Sequence, residues 1–546
     1  MNGLMQHWPL TTTTILRHAM REHGGREVVT RSIEGEIRRY GYADLHRRAL
    51  QVVHALQASG VVRGERVATL AWNTDRHMEI WYGVMGFGAI CHTINPRLPA
   101  EQLAYIINHA QDRILFIEAA FLPLLAPLRA RLPSLREVIV LTDPGEACVL
   151  SPAPVLYEHW LTRGGGGHGA WPDLPEETAA TLCYTSGTTG HPKGALYSHR
   201  SNVLHALAIN TADGFGLRTR DVVLPIVPMF HANAWGTIFA APMAGAKLVL
   251  PGCRLDGASL WELMESERVS VTAAVPTVWL GLLRYLDETG RRLPHLQRVL
   301  IGGSAVPRVM VERFERDFGV EVTHAWGMTE MSPVGTFGSS KFADPEKDEE
   351  AYMSRKLKQG RVPYTVELKV VDESGEELPR DGHSQGEVKV RGPAIVGRYF
   401  GEANEATDAQ GWFATGDVAT MDSQGYLQIV DRSKDVIKSG GEWISSIALE
   451  NTAMGHPQVA EAAVIAVPHE KWGERPLLLV VAKDPGLEPQ SVLEYVQERV
   501  AKWWVPDRVQ LVSEIPHSGT GKIRKDLLRQ RYGGPVGKCA GDLTGE

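Results

Sequence analysis

"YTSGTTGHPKG", residues 184–194, packs three glycines, three threonines, a serine and a lysine into eleven positions. The apolar-leaning residues 180–183 lead into it as the end of a strand, and the chain from Ser198 onward reads as a helix. Glycines let backbone N–H groups approach an anion closely. The hydroxyls of Thr185, Ser186, Thr188 and Thr189 add donors, Gly187 and Gly190 bare the backbone, and Lys193 adds a positive charge within reach. By composition this is a phosphate cradle. It is not a Walker loop, because Lys193 follows Pro192 rather than a glycine and Gly194 stands where that motif needs Ser or Thr.

Outward from this loop, short apolar strands alternate with helical stretches. Residues 44–57 carry a helical pattern, "GERVATLAWN" (64–73) a turn and a buried strand, and "RILFIE" and "EVIVLTD" two more strands. "RVLIGGSAVP" (298–307) gives a strand over 299–301 and a glycine turn. Residues 307–319 then fit a helix, with Pro307 in the first turn, Met310, Phe314 and Phe318 on one face, and Gly319 as its stop. This alternation predicts α/β architecture with mainly parallel sheets. "RGGGGHG" (163–169) reads as a flexible surface connection. The charge-rich 341–359 predicts an exposed helix. After about residue 365 the pattern changes to antiparallel hairpins, giving a small β-rich subdomain. Past "VDRSKD" the strands and a helix over 491–502 define a smaller α+β unit. The expected organisation is a large domain over 1–431, a hinge at 432–434, a mobile C-terminal domain over 435–533 and a tail over 534–546.

The chain has 546 residues, a formal charge of −7, and five cysteines with no CxxC pair. The charge argues against a dedicated nucleic-acid binder. The cysteines argue against a disulfide scaffold or structural zinc and for a reducing, cytoplasmic setting. The N-terminus carries no secretory pattern. The longest uncharged apolar-rich run, 80–91, is far short of a membrane span, so at most peripheral membrane contact is expected.

Five segments in order, "YTSGTTGHPKG", "HAWGMTE" (324–330), "GWFATGD" (411–417), "VDRSKDVIKSGGEWIS" (430–445) and "PHSGTGKIRK" (516–525), resemble the signatures of the adenylate-forming superfamily of acyl-CoA synthetases, adenylation domains and luciferases. The resemblance implies ATP, Mg²⁺ and coenzyme A as cofactor and substrates, and a carboxylic acid as the group activated. It assigns Lys522, on a glycine-bounded loop, to the bridge between substrate carboxylate and α-phosphate. There a cation stabilises charge developing during in-line attack. It assigns Glu330 and Thr185 to the metal, a hard carboxylate beside phosphates being suited to Mg²⁺. Thr329 would bond the α-phosphate and Trp326 with Gly327 would flank the adenine, where many relatives carry tyrosine. Gly302, Gly303 and Ser304 would expose backbone near the adenine and the carboxylate. Asp417 and Arg432 would hold the ribose, and Lys434 would be the pivot. Lys438 and Trp443, with Gly440 and Gly441, would contact CoA and nucleotide after rotation. His231 and Trp235, in "PMFHANAWG", would line the acyl pocket, Trp235 resembling an aromatic gate.

The quoted segments are most similar to bacterial medium- and long-chain fatty acyl-CoA synthetases, a subgroup that includes ligases for short thioether acids. An aryl or arylacetic acid is the alternative substrate, and transfer to a separate carrier protein an alternative acceptor. Homodimers are frequent in the subgroup. A catalytically silent nucleotide-binding scaffold would bind ATP without carboxylate-dependent pyrophosphate release, and a luciferase-like oxygenase would emit light with a luciferin.

Overall fold

A computed structural model describes residues 1, 3–142, 155–165, 169–185, 191–341, 348–440, 442–518 and 522–533. Among them the large N-terminal part holds two mainly parallel sheets. One runs, in spatial order, through Val334–Phe337, Glu321–Gly327, Arg298–Gly302, Val271–Ala274, Val222–Pro225, Lys247–Leu250, Glu27–Arg31 and Ile37–Gly41. The other runs through Val155–Leu156, Glu137–Leu141, Ile114–Glu118, Arg66–Leu70, Ile90–Thr93, Ala179–Tyr184 and Gly194–Ser198. In both, an antiparallel strand closes the edge that bears a signature: Val334–Phe337 beside Glu321–Gly327, and Gly194–Ser198 beside Ala179–Tyr184.

The two sheets share one core. Helices Tyr42–Ala58 and Asp75–Phe87 lie within it, and Val67 and Cys91 of one sheet join Val223, Leu248 and Val271 of the other around Trp81, Tyr82 and Phe239. The uncharged run 80–91 is therefore a helix buried on every side, followed by a buried strand. Glu79, in the same helix just before that run, is tolerated because it accepts hydrogen bonds from Arg48 (2.6 Å), Tyr157 (2.8 Å) and Tyr40 (3.1 Å). No helix among the described residues is long and apolar enough to cross a membrane.

The β-rich subdomain is a four-stranded antiparallel sheet, Glu367–Val371, Gly386–Arg391, Phe413–Met421 and Leu427–Arg432. Its apolar face packs against Trp326, Met328 and Met331 of the main body. The smaller C-terminal part has its own sheet, built on the long hairpin Val459–His469 with Gly473–Ala482, and its own apolar clusters on the two faces.

Four local expectations are corrected. The helix beginning after Pro307 runs only over Arg308–Glu312 and continues as a π turn, with Pro307 as its N-cap. The helix expected over 491–502 is Pro489–Gln497. Arg475 binds the carbonyls of Trp503 and Val505, each at 2.7 Å, which draws the chain out of helix and into the parallel strand Arg508–Leu511. The helix of the charged insertion, Glu349–Leu357, is not simply exposed. It buries Met353 against the core and Lys356 against Val322 O (2.8 Å) and Glu315 (2.9 Å), which its charge pattern conceals. Finally, Thr162–Gly164 forms a 3₁₀ turn at the start of the glycine run, of which residues 166–168 lie outside the described residues.

Candidate active site

The strands carrying the signatures end at one cleft of about 760 Å³, between the main body, the β-rich subdomain and the C-terminal part. Asp417 sits on Phe413–Met421 directly across from Arg432 on Leu427–Arg432. Arg432 Nε lies 2.7 Å from one Asp417 oxygen, and Trp326 Nε1 donates to the other at 3.0 Å. Burial pushes the Asp417 carboxyl above its ordinary value, while Arg432 and Lys522 hold it down. Trp326 thus stands against the cleft and fixes the carboxylate through its indole N–H.

Glu330 belongs to the short 3₁₀ turn Thr329–Met331 that follows the strand Glu321–Gly327. Tyr399 donates to one Glu330 oxygen at 2.7 Å, and Tyr197 donates to Thr329 O at 2.5 Å. The same Tyr399 ring lies 4.9 Å from Lys193 Nζ. Thr185 and Lys193 face each other at the mouth of the hairpin: Thr185 N donates to Lys193 O (2.9 Å), and Lys193 N donates to Thr185 Oγ1 (3.1 Å). Ser186, Gly187, Thr188, Thr189 and Gly190 lie outside the described residues.

Lys522 enters this cleft from the C-terminal part, on a turn whose ends are tied by Ser518 N to Lys522 O (2.7 Å) and Lys522 N to Ser518 Oγ (3.2 Å). Burial pulls its ammonium down to about 8, assisted by Arg432 and Lys434, against the opposing pull of Asp417 and Glu330. Asp417 and Glu330 are therefore both near enough to act on the Lys522 charge.

His231 and Trp235 also line the cleft. Burial draws His231 down to about 3, with Lys522 contributing, so it is neutral near pH 7. Trp235 is carried by an unusual segment: Ala232, Asn233, Ala234, Trp235 and Gly236 all have φ between 43° and 75°. Consecutive left-handed residues other than glycine are costly. The buried Asn233 side chain holds them, donating to Thr181 Oγ1 and Asn202 Oδ1, each at 3.2 Å, and accepting from Cys183 Sγ at 3.3 Å. The indole lies against the turn at 302–303: a Cβ at Gly302 would come within 3.2 Å of it.

Of the remaining residues singled out by sequence, Gly303, Gly327, Thr329 and Lys434 line the cleft. Ser304 is exposed beside it. Lys438 and Gly440 are exposed on the C-terminal part, and Trp443 packs against Val418, Val430 and Val436 rather than in the cleft. Gly441 lies outside the described residues. Sequence reading missed Tyr399, Tyr197 and the Tyr105, His109 and His191 group, which lines the cleft together with Lys193. Their partners lie 69 to 132 positions away in the chain, or are aromatic contacts with no sequence spacing.

A metal is implied here by the resemblance. Among the described residues no group of three or more His, Cys, Asp or Glu could hold one. A single carboxylate, Glu330, with the Thr185 hydroxyl nearby in the cleft, fits a cation that completes its shell with phosphate oxygens and water, as Mg²⁺ does.

The chain matches the AMP-binding enzyme family over residues 16–400 and the AMP-binding enzyme C-terminal domain over 448–522. It belongs to that family of adenylate-forming enzymes. It is 47% identical over 536 residues to a medium-chain-fatty-acid–CoA ligase of Ectopseudomonas oleovorans, covering 98% of each chain. It is also 47% identical to a 3-methylmercaptopropionyl-CoA ligase of Ruegeria pomeroyi, covering 97% of this chain and 99% of that one. In fold it is similar to an anthranilate CoA ligase in complex with anthranoyl-AMP, with a TM-score of 0.86 at 24% identity over 96% of this chain and 98% of that one.

Proposed function

We propose that the protein is an AMP-forming acid–thiol ligase that activates a medium- or long-chain fatty acid as its acyl-adenylate and passes the acyl group to CoA. The observation that carries this is Lys522, brought from the C-terminal part into a cleft that Glu330, Thr185 and Lys193 also line, within reach of the charge on the buried Asp417. In the first half-reaction a substrate carboxylate oxygen bonds to the α-phosphorus of ATP and the bond to the pyrophosphate oxygen breaks. Asp417 receives the ribose hydroxyls, held by Arg432 and Trp326. The 185–193 loop takes the β- and γ-phosphates, Thr329 the α-phosphate, and Lys522 the charge that develops between carboxylate and α-phosphate. When bound, Mg²⁺ neutralises the phosphate oxygens, held by Glu330 and Thr185. In the second half-reaction the CoA thiolate attacks the acyl carbon and AMP leaves.

The position of Lys438 and Trp443 outside the cleft supports a rotation of the C-terminal part about Lys434 between the two steps. The wall of Ala232, Trp235, Val275 and Val334 with a neutral His231 is apolar, which suits an alkyl chain. It suits a short thioether acid as well, and this is the second reading. The three described cysteines are free, in keeping with a cytoplasmic enzyme. The test is pyrophosphate release from ATP·Mg²⁺ across straight-chain acids from propionate to palmitate, 3-methylmercaptopropionate, phenylacetate and benzoate, with and without CoA. Release that peaks at medium or long chains, with CoA consumed, meets the expectation. A peak at the thioether acid moves the assignment to the second reading, and ATP binding with no acid-dependent release sinks both.

A further inference from the structure

Helix Ala100–Ala110 is not part of any signature, yet it touches both flanks of the phosphate-loop segment. Tyr105 and His109 are one turn apart, so their rings stack on the same face, with centroids 5.5 Å apart and 23° between planes. Tyr184, which enters the loop, meets His109: its OH lies 2.7 Å from His109 Nδ1. His191, which leaves the loop, stacks on Tyr105 at 4.5 Å and 25°. Between these flanks, Thr185 and Lys193 close the neck by their backbone pairing.

The dock is stiff. Phe400 meets His109 edge to face at 5.7 Å, and Gly401 leaves no room beside the ring: a Cβ there would lie 2.9 Å from His109 Nε2. Beneath Tyr184 lies the His92 ring at 5.0 Å, paired through Nδ1 with Asp112 at 2.8 Å, both side chains fully buried. Tyr105, His109 and His191 all line the cleft.

We propose that Tyr105 and His109 are positioning residues for ATP: by holding Tyr184 and His191 they fix the adjoining Thr185 and Lys193, so that these two meet the β- and γ-phosphates without a search. The inference rests on the reading that residues 185–193 take those phosphates. It predicts an effect confined to the half-reaction in which pyrophosphate is bound. Aromatic stacking, rather than the phenol of Tyr105, is the working contact on the His191 side.

The test measures two rates on the full chain: pyrophosphate release from ATP, and acyl-CoA formation from supplied acyl-adenylate, which needs no pyrophosphate site. His191→Ala, at an exposed position, and Tyr105→Ala should each raise KM for ATP about 3- to 10-fold and leave acyl-CoA formation from the adenylate within about twofold. Tyr105→Phe should restore the parent KM. An unchanged KM for ATP in His191→Ala, or equal losses in both half-reactions, overturns the proposal. If Tyr105→Ala does not fold, His191→Ala decides alone. Lys193→Ala separates the two layers. If it raises KM for ATP while His191→Ala does not, the dock is wrong and the phosphate reading stands. If Lys193→Ala leaves KM for ATP unchanged, the phosphate reading falls, and the dock with it.

Discussion

A lysine held at about 8 rather than its usual 10.5 puts the enzyme's alkaline limit within reach of ordinary buffers. Lys522 works as an ammonium, so the sign is fixed: lowering its proton affinity costs nothing at neutral pH and removes the active form as pH rises. Burial disfavours the charge, and Arg432 and Lys434 repel it, while Asp417 and Glu330 recover part of it. With a single titration near 8, the protonated fraction falls about tenfold between pH 7 and pH 9. The quantity to follow is kcat/KM for ATP in the pyrophosphate-release reaction, which reports on the free enzyme, the state described here. It should be level below about pH 7 and lose about tenfold by pH 9. Two variants check the cause. Lys434→Gln removes one repelling charge, so the limb should move to higher pH. Lys522→Arg keeps its charge throughout this range and should show no limb at all, though at a lower rate. His231 cannot supply the same limb, because it is drawn down to about 3 and stays neutral through the whole window. A profile flat to pH 9.5 in the parent enzyme, or a Lys434→Gln limb displaced downward, would refute the reasoning.

Three further perturbations test the rest of the site. Lys522→Ala should slow pyrophosphate release by about 10²- to 10³-fold, the usual cost of one preorganised donor, while acyl-CoA formation from supplied acyl-adenylate is largely spared; parallel loss of both rates would deny Lys522 its separate role. Tyr399→Phe removes the hydroxyl that holds one Glu330 oxygen, and the Mg²⁺ concentration for half-maximal release should rise about 10-fold, read by a magnesium titration at saturating ATP. Gly327→Ala places a Cβ 1.9 Å from Pro333 O, which the turn carrying Thr329 and Glu330 cannot absorb. A loss of about 2–4 kcal/mol in urea unfolding and at least about 10-fold in pyrophosphate release is expected, and a variant indistinguishable from the parent would show that this turn is not rigid.

The fold class was legible because its signals are local. Short apolar strands alternate with helical stretches, and a glycine turn follows the strand Arg298–Gly302 at 302–303. The signature residues were legible for a related reason. Thr185, Gly302, Glu330 and Arg432 sit at or just past a strand end, where short polar side chains and glycines in an apolar neighbourhood have no packing role to explain them; Asp417 stands mid-strand and Lys522 on a turn. Asp417 and Arg432 could be named separately, but their 2.7 Å pairing is a matter of register between two antiparallel strands, which no spacing rule gives.

What stayed illegible has a common cause. Tyr399 holds Glu330 from 69 positions away, Tyr197 holds Thr329 from 132, and His109 meets Tyr184 from 75. Each of these residues looks, in sequence, like any half-buried aromatic. The buried face of Glu349–Leu357 was hidden for the opposite reason: its Lys356 reads as solvated until Glu315 and the Val322 carbonyl are brought to it. The left-handed run at Ala232–Gly236 is the sharpest case, since alanines and a tryptophan carry no local preference for that conformation. It exists because Asn233 is held by Thr181, Asn202 and Cys183, all on or beside the strand that leads into the phosphate loop. The wall of the cleft that carries Trp235 is therefore fastened to the same strand, Ala179–Tyr184, that leads to Thr185. Cutting that link with Asn233→Ala should raise KM for the acid and for ATP together, whereas Trp235→Ala, which leaves the fastening intact, should act on the acid alone. If Asn233→Ala spared ATP, the two walls would be independent and the strand would be only a support for its own loop.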